Sequence, residues 1–243
     1  MHQVKRAIIM AAGTGSRMRP VTLHTPKPLV AVGGRRMIDT VIDGLHANGI
    51  HEIHIVVGYL AEQFRQLEET VPGVHIIENP WFDSCNNISS LYVAREYLED
   101  AIILDGDQIV YNPEILKRDF GRSGYNAVWT EEPTKEWLLQ VEDGIVTGCS
   151  RTGGSRGWQL YSVSRWAAED GRRLRRHLEL EFEEKKNRQI YWDDVALFCH
   201  PEEYALGILP MQKGDLLEID DLSELIAMDD SYGIYAQGVN DSE

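Results

Sequence analysis

The sequence predicts an α/β fold built on a mostly parallel sheet with helices on both faces. Two observations carry this expectation: four short apolar runs bounded by Gly, Asn or Asp, and apolar residues at helical spacing between them. Ala7–Met10, Ile53–Val57, Val74–Ile77 and Ala101–Leu104 are rich in β-branched residues, as strands covered on both faces are. Ile38, Val41, Ile42 and Leu45 repeat as one helical face, and so do Leu60, Phe64, Leu67 and Val71. A third helix opens at Asn87 and turns Ile88, Leu91, Tyr92 and Leu98 inward. After residue 125 the alternation loosens. A strand is expected over Asn126–Thr130, a hairpin over Leu138–Val146 that turns at Asp143-Gly144, and a charge-dense helix over 165–188 with Leu174, Leu178 and Phe182 on one stripe. Asp221-x-x-Glu224 reads as a capping box that opens a last helix. No repeat or Pro/Ser-rich linker interrupts the chain, so residues 1–243 read as one domain, with 229–243 as a tail or the start of a linker.

Composition narrows the function. Apolar residues make up 43% and charged residues 26% of the 243, a globular mix. A net charge of −15 repels phosphate backbones and anionic lipid, which argues against nucleic-acid or membrane binding. Cys85, Cys149 and Cys199 are odd in number, widely spaced and without a C-x-x-C, as expected of a cytoplasmic protein. The charge is also unevenly placed. Residues 1–38 hold seven basic side chains and no acid, whereas the remaining 205 hold 17 basic and 39 acidic. A basic, Gly-rich head on an acidic chain suggests a local anion site.

Ligands of open α/β sheets bind beyond the carboxyl ends of the strands. Two acid- or glycine-rich turns fall there: Ala11-Ala12-Gly13-Thr14-Gly15-Ser16-Arg17 after the first strand, and Asp105-Gly106-Asp107 after the fourth. Glycines let backbone N–H groups approach an anion, and Arg17 and Lys27 can neutralise a polyphosphate. The dinucleotide and Walker loops are both excluded, because Met18 replaces the third glycine and no G-K-S/T follows. A carboxylate at a buried strand end is costly unless it meets a cation, and Mg²⁺ takes one or two carboxylates together with substrate phosphates.

The run A-A-G-T-G-S-R-M, followed by Thr25-Pro26-Lys27-Pro28-Leu29, resembles the nucleotidyltransferases that join a nucleoside triphosphate to a sugar phosphate or similar phosphate. The resemblance implies a Rossmann-like αβα sandwich, the nucleotide-diphospho-sugar transferase fold. It also implies a triphosphate wrapped by Ala11, Ala12, Gly13, Thr14, Gly15 and Ser16, with Arg17 and Lys27 on phosphates. Asp107 matches the family's magnesium ligand, and Asp105 a neighbour that contacts nucleotide. Glu218-Ile219-Asp220-Asp221-Leu222 resembles the closing segment of cytidylyltransferases, which places Asp220 as second metal ligand and Glu218 beside it. Asp221 stands where Thr or Ser is usual, so the two aspartates could trade ligand and cap.

Asn86-Asn87-Ile88-Ser89-Ser90-Leu91-Tyr92, Glu136-Trp137 and Tyr191-Trp192-Asp193 resemble the branch that cytidylylates phosphocholine or 2-aminoethylphosphonate. The resemblance sets Asn87 and Ser90 on the nucleotide, although Asn87 with Ser90 at N3 equally suits a helix cap. Trp137, Trp158, Tyr161, Tyr191 and Trp192 offer aromatic faces to an ammonium, with Asp193 as counter-charge. Asp194 replaces an expected Asn, and a second carboxylate favours an NH₃⁺ over a trimethylammonium. The expected activity is Mg²⁺-dependent transfer of CMP from CTP to a small amine-bearing phosphate or phosphonate, with release of pyrophosphate. A sugar-1-phosphate nucleotidyltransferase and a non-catalytic nucleotide-binding regulator are the alternatives. The sequence leaves a homo-oligomer open.

Overall fold

The computed structural model describes residues 1–238. Its core is a nine-stranded sheet. Strands β1 (Arg6–Ala11), β2 (Glu52–Val57), β3 (Val74–Glu78) and β4 (Ala101–Asp105) form the parallel half, in spatial order β4-β1-β2-β3. Strand order reverses between β1 and β4, which opens a crevice at their carboxyl ends. The short β5 (Gln108–Val110) follows the turn after β4.

The other half is mixed. It contains β6 (Gly124–Thr130), the hairpin β7 (Leu138–Glu142) and β8 (Ile145–Ser150), the ten-residue β9 (Gly157–Trp166), and β10 (Gly207–Pro210). Asp143 and Gly144 take φ of 49° and 76°, the left-handed pair that a two-residue hairpin turn needs. Strand β9 joins the halves. Its last residues pair antiparallel with β4 (Val163 opposite Leu104), its early ones with β7 (Leu138 opposite Gln159), and its other edge with β6. A separate pair, β5 with β11 (Leu216–Glu218), sets Glu218 opposite Gln108.

Period-two alternation divides the core. Ala7, Ile9 and Ala11 of β1 face Ile38, Val41, Ile42 and Leu45 of α1 (Met37–Ala47). Ile8 and Met10 face the opposite layer, where Ile88 and Leu91 of α3 (Ile88–Val93) meet Leu174 and Leu178 of α4 (Ala168–Glu179). On the first face α2 (Arg65–Thr70) adds Leu67, and the preceding turn adds Phe64. A third cluster of Met18, Val30, Met37, Ile109, Ile219 and Leu225 packs α5 (Leu222–Met228) under the glycine loop. Met18 is fully buried there, so the residue in the place of a dinucleotide-type glycine is a core plug.

The helix expected over 165–188 starts later. Arg165 and Trp166 stay in β9, paired with Ile102 and Ala101, and α4 begins at Ala168 and passes into a π-helical turn over Leu180–Glu184. The stripe of Leu174, Leu178 and Phe182 is buried as expected. Of residues 229–243, Asp229 accepts from Gly33 N–H and Tyr232 donates to the Ala31 carbonyl (2.9 and 2.7 Å), while 239–243 lie outside the described residues. Among the described residues no helix is long and apolar enough to cross a membrane.

Gly171 lets α4 approach the preceding loop, where an added Cβ would lie 2.2 Å from the Leu98 carbonyl oxygen. Alanine in a helix normally gains about 1 kcal/mol over glycine. Here a clash with backbone outweighs that gain, so Gly171→Ala should lower the denaturation midpoint; a rise would show that the helix can shift freely.

Candidate active site

The crevice between β1 and β4 holds a cavity of about 330 Å³. Gly13, Thr14, Gly15 and Ser16 form one wall, with Ala11 at its base and Arg17 at its rim; Lys27, Asp105, Asp107 and Asp220 form the other. Gly15 has φ +58°, and a Cβ there would sit 3.0 Å from both Lys27 and Thr22 side chains. The Thr22 hydroxyl donates to the Gly15 carbonyl at 2.8 Å and fixes the loop. An added Cβ on Gly13 meets nothing within 4 Å, so the space it would fill stays open to a ligand. Ala12 does not line the cavity. It is buried, and its carbonyl accepts from Tyr59 N–H at 3.1 Å.

Lys27 is 8% exposed, with its Nζ 2.6 Å from Asp107 Oδ2 and 3.2 Å from Asp220 Oδ1. Burial alone would push this ammonium down; the two carboxylates outweigh it and hold its pKa above the ordinary value. Arg17 reaches the same Asp220 oxygen at 2.9 Å. The neighbouring aspartates take separate roles: Asp221 caps α5 by accepting from Glu224 N–H (2.9 Å), and Glu224 accepts in turn from Asp220 N–H (2.6 Å). Asp220 is thereby left facing the cavity.

Glu218 accepts from Gln108 Nε2 at 2.7 Å, and burial, then the Asp107 charge, raises its pKa to about 7. Asp105 is held well above the carboxylate range by burial and then by Asp107, Glu218 and Asp193. Among the described residues no group of three or more His, Cys, Asp or Glu is gathered as a metal site. Asp107 and Asp220 nonetheless converge on one cation, and two carboxylates completed by phosphate oxygens are a donor set that suits Mg²⁺.

A second cavity, of about 220 Å³, shares Asp105 with the first. Trp137 and Tyr191 stand edge to face in its wall, centroids 5.7 Å apart at 88°. Glu136, Asp193 and Glu218 add carboxyl groups, Asn87 and Ser162 are its neutral polar groups, and among the described residues no basic side chain lines it. Asp193 Oδ1 and the hydroxyl of the neighbouring Tyr125 are both buried, and neither makes a well-formed hydrogen bond among the described residues. Burial raises this carboxyl to about 7; the nearby Tyr125 hydroxyl tempers the rise and the Asp194 charge adds to it.

Several expected site residues lie elsewhere. Trp192, 4% exposed, packs between Tyr125 and Trp166 in the core. Leu160 and Ser162 of β9 face the second cavity, so Tyr161 points to the opposite face and lines a neighbouring hollow. Trp158 shares the face of Leu160 but lies further out, edge-on to Trp129 at 5.4 Å. The Ser90 hydroxyl accepts from Asn79 (3.0 Å) in the interior rather than meeting a nucleotide. Asn87 occupies the α3 cap position without capping; its side chain accepts from Trp192 N–H at 2.8 Å and borders the second cavity, not the glycine loop. Asp194 is turned away, 3% exposed, with Oδ1 2.5 Å from Arg151 and Oδ2 accepting from Tyr191 N–H at 3.0 Å. It supplies no free carboxylate to an amine, which removes that argument against choline. Arg151 itself escaped the sequence reading because nothing local ties it to a partner 43 residues away.

The cap role of Asp221 can be tested by stability. Asp221→Ala should cost about 1 kcal/mol through loss of the cap. Asp221→Asn, which keeps an acceptor for the Glu224 N–H, should cost less. The reverse ranking in urea melts would reassign the cap.

The profile of the MobA-like NTP transferase domain matches residues 7–179. A 2-aminoethylphosphonate cytidylyltransferase of Lancefieldella rimae is 38% identical, over 93% of this chain and 92% of its own length. A choline-phosphate cytidylyltransferase of Streptococcus pneumoniae is 32% identical, over 90% and 94%. The solved CTP:phosphocholine cytidylyltransferase of Streptococcus pneumoniae superimposes with a TM-score of 0.87 at 31% identity, covering 94% of this chain and 99% of that one. An inositol-1-phosphate CTP transferase of T. maritima, at 17% identity and a TM-score of 0.75, shares the fold. With its glycine loop, Lys27 and strand-end aspartates inside the matched span, the chain belongs to the MobA-like NTP transferase family and is a nucleotidyltransferase.

Proposed function

We propose that the chain is a Mg²⁺-dependent cytidylyltransferase that moves CMP from CTP to a small phosphonate or phosphate bearing a primary amine, 2-aminoethylphosphonate being the favoured acceptor. The observation that carries the acceptor class is a cavity walled by Trp137 and Tyr191 whose carboxyl groups, Glu136, Asp193 and Glu218, face no basic side chain among the described residues. A buried acceptor without a donor costs about 1–3 kcal/mol. A primary ammonium has three N–H donors for it, whereas a trimethylammonium has none. The 2-aminoethylphosphonate relative supports a primary amine, and the choline-phosphate relative supports an ammonium-bearing acceptor more broadly. A sugar phosphate would need polar groups matched to its hydroxyls, and the cavity offers chiefly carboxyls and aromatic rings. The three cysteines are unpaired, in keeping with a cytoplasmic setting.

In this reading the glycine-loop N–H groups, Arg17 and Lys27 receive the triphosphate. Lys27 and Arg17 exchange their carboxylate contacts for phosphate oxygens as the nucleotide enters. Asp107 and Asp220 would hold Mg²⁺, with Glu218 beside them, and the ion supplies charge neutralisation at the reacting phosphates. A phosphonate oxygen forms a bond to the α-phosphorus in line. The bond from that phosphorus to the bridging oxygen breaks, and its electron pair leaves on pyrophosphate. The attacking oxygen is already anionic, so the protein contributes alignment and neutralisation rather than a general base.

The test is turnover with CTP and Mg²⁺ on 2-aminoethylphosphonate, phosphoethanolamine and phosphocholine. The primary amines should lead phosphocholine by about tenfold or more in kcat/KM, the size of one unmet buried acceptor. Preference for phosphocholine would reverse the assignment.

Lys27→Ala should lose about two orders of magnitude or more in kcat/KM, since a charge-assisted phosphate contact of roughly 3 kcal/mol disappears. Retention of activity within about threefold would make Lys27 a structural ion only.

Asp193 gives a pH signature. Its carboxyl binds an ammonium only when ionised and titrates near 7, so KM for the amine should fall as pH rises through about 7 and then level off. Asp193→Asn should raise that KM and abolish the limb, with KM for CTP unchanged. A carboxyl raised on folding has its full stability below the unfolded-state pKa and loses it as pH climbs through the folded one. The melting temperature of Asp193→Asn should therefore gain on wild type between pH 4 and pH 8. A difference that does not vary with pH would remove the buried charge from the account.

A further inference from the structure

The turn that carries Tyr191 and Asp193 into the amine cavity is pinned at two points, and one pin does not touch the cavity. We propose that Arg151 is a positioning residue for the amine: by binding Asp194 it holds this turn in place and keeps the second carboxylate out of the cavity. The inference rests on the amine-acceptor reading above and specifies which charges meet the substrate.

Arg151 leaves the end of β8 with its Nη2 2.5 Å from Asp194 Oδ1. The other oxygen of Asp194 accepts from Tyr191 N–H, so one buried carboxylate links the guanidinium to the backbone of an aromatic cavity wall. The second pin is Asn87, which accepts from Trp192 N–H. Arg151 also lies over the Phe198 ring at 3.9 Å and 5.6 Å from the Trp137 ring, and Trp137 meets Tyr191 and Phe198 edge-on at 5.7 Å each. A single guanidinium thus braces both aromatic walls from outside. Its planar fork and ring stacking are what a lysine cannot reproduce.

The pairing also sets the charge that Asp193 experiences. The titratable groups around Asp193 are Tyr191 and Asp194 on its own turn, Tyr125 of β6, Cys149 of β8, Asp105 of β4, and Glu136 and Glu218 across the cavity, with Arg151 opposite Asp194. Tyr125 and Cys149 are both raised by burial and stay neutral. Without Arg151, the Asp194 charge would act on Asp193 unopposed, and the turn would lose an anchor.

The test compares wild type, Arg151→Met, Arg151→Lys and the double variant Arg151→Met/Asp194→Asn. KM for 2-aminoethylphosphonate and for CTP is measured between pH 6 and 9. Arg151→Met should raise the amine KM roughly tenfold with CTP KM within about twofold, and move the pH limb up by about one unit. Arg151→Lys should fall between. The double variant removes the buried unpaired charge while an amide oxygen still accepts from Tyr191; it should return the limb to its place, while the amine KM, with the Arg151 anchor still missing, stays several-fold above wild type. It also carries the test if the single variant fails to fold. A double variant with wild-type amine KM or with a displaced limb, or KM values for amine and CTP that rise together, would overturn the positioning role. A wild-type chain active on amines with Arg151→Met unchanged would overturn this inference alone. A wild-type chain with no turnover on any amine would overturn the proposed function, and this inference with it.

Discussion

Lys27 lies almost out of solvent with its ammonium between Asp107, from the turn after β4, and Asp220, 193 residues further along the chain. Much else in the site follows from that contact. Asp105, Asp107, Glu218 and Asp220 crowd one end of the sheet, and carboxylates at such spacing repel one another unless a cation stands among them. The ammonium ties the start of the chain to its last helix. It also accounts for the tight approach of the Lys27-Pro28 segment to Gly106, where an added Cβ would lie 3.3 Å from Pro28. A buried pair of this kind is weak as a source of net stability, but removing one partner is costly. Its value is geometric: Lys27, Arg17, Asp107 and Asp220 are held at one point at the rim of the first cavity.

The glycine loop and the turn after β4 are legible in the sequence because there neighbours along the chain are also neighbours in space. The glycine loop, Arg17, Asp107 and Asp220 line one cavity because each follows the carboxyl end of a strand; Lys27, from a 3-10 turn sixteen residues after β1, is legible only through the P-K-P-L motif it shares with the family. The four parallel strands and the α1 stripe were readable for the same local reason: apolar periodicity is a property of consecutive residues.

What the sequence did not disclose depends on register and on contacts between distant loops. Trp158 and Tyr161 were grouped by residue type, but their spacing of three puts them on opposite faces of β9. Asp194 reads as a second acid next to Asp193, and only the fold brings Arg151 to neutralise it. Asn87 reads as a cap or a nucleotide contact, whereas its carbonyl oxygen serves the backbone of Trp192, 105 residues away. Glu136 was visible as part of Glu136-Trp137 but carried no role until Trp137 proved to be a cavity wall.

Strand β9 is the seam between the parallel half, which carries the glycine loop, and the mixed half, which carries Trp137 and the Arg151 turn. The two halves therefore offer separate engineering handles. Side chains on the β7–β8 hairpin and in the 191–194 turn can be exchanged without disturbing the backbone that positions Lys27 and Asp107. A library confined to Glu136, Trp137 and Tyr191 would vary the lining of the second cavity while the glycine loop, Lys27 and Asp107 keep their own sequence. Asp105, common to both cavities, is the one residue that such a redesign should leave untouched.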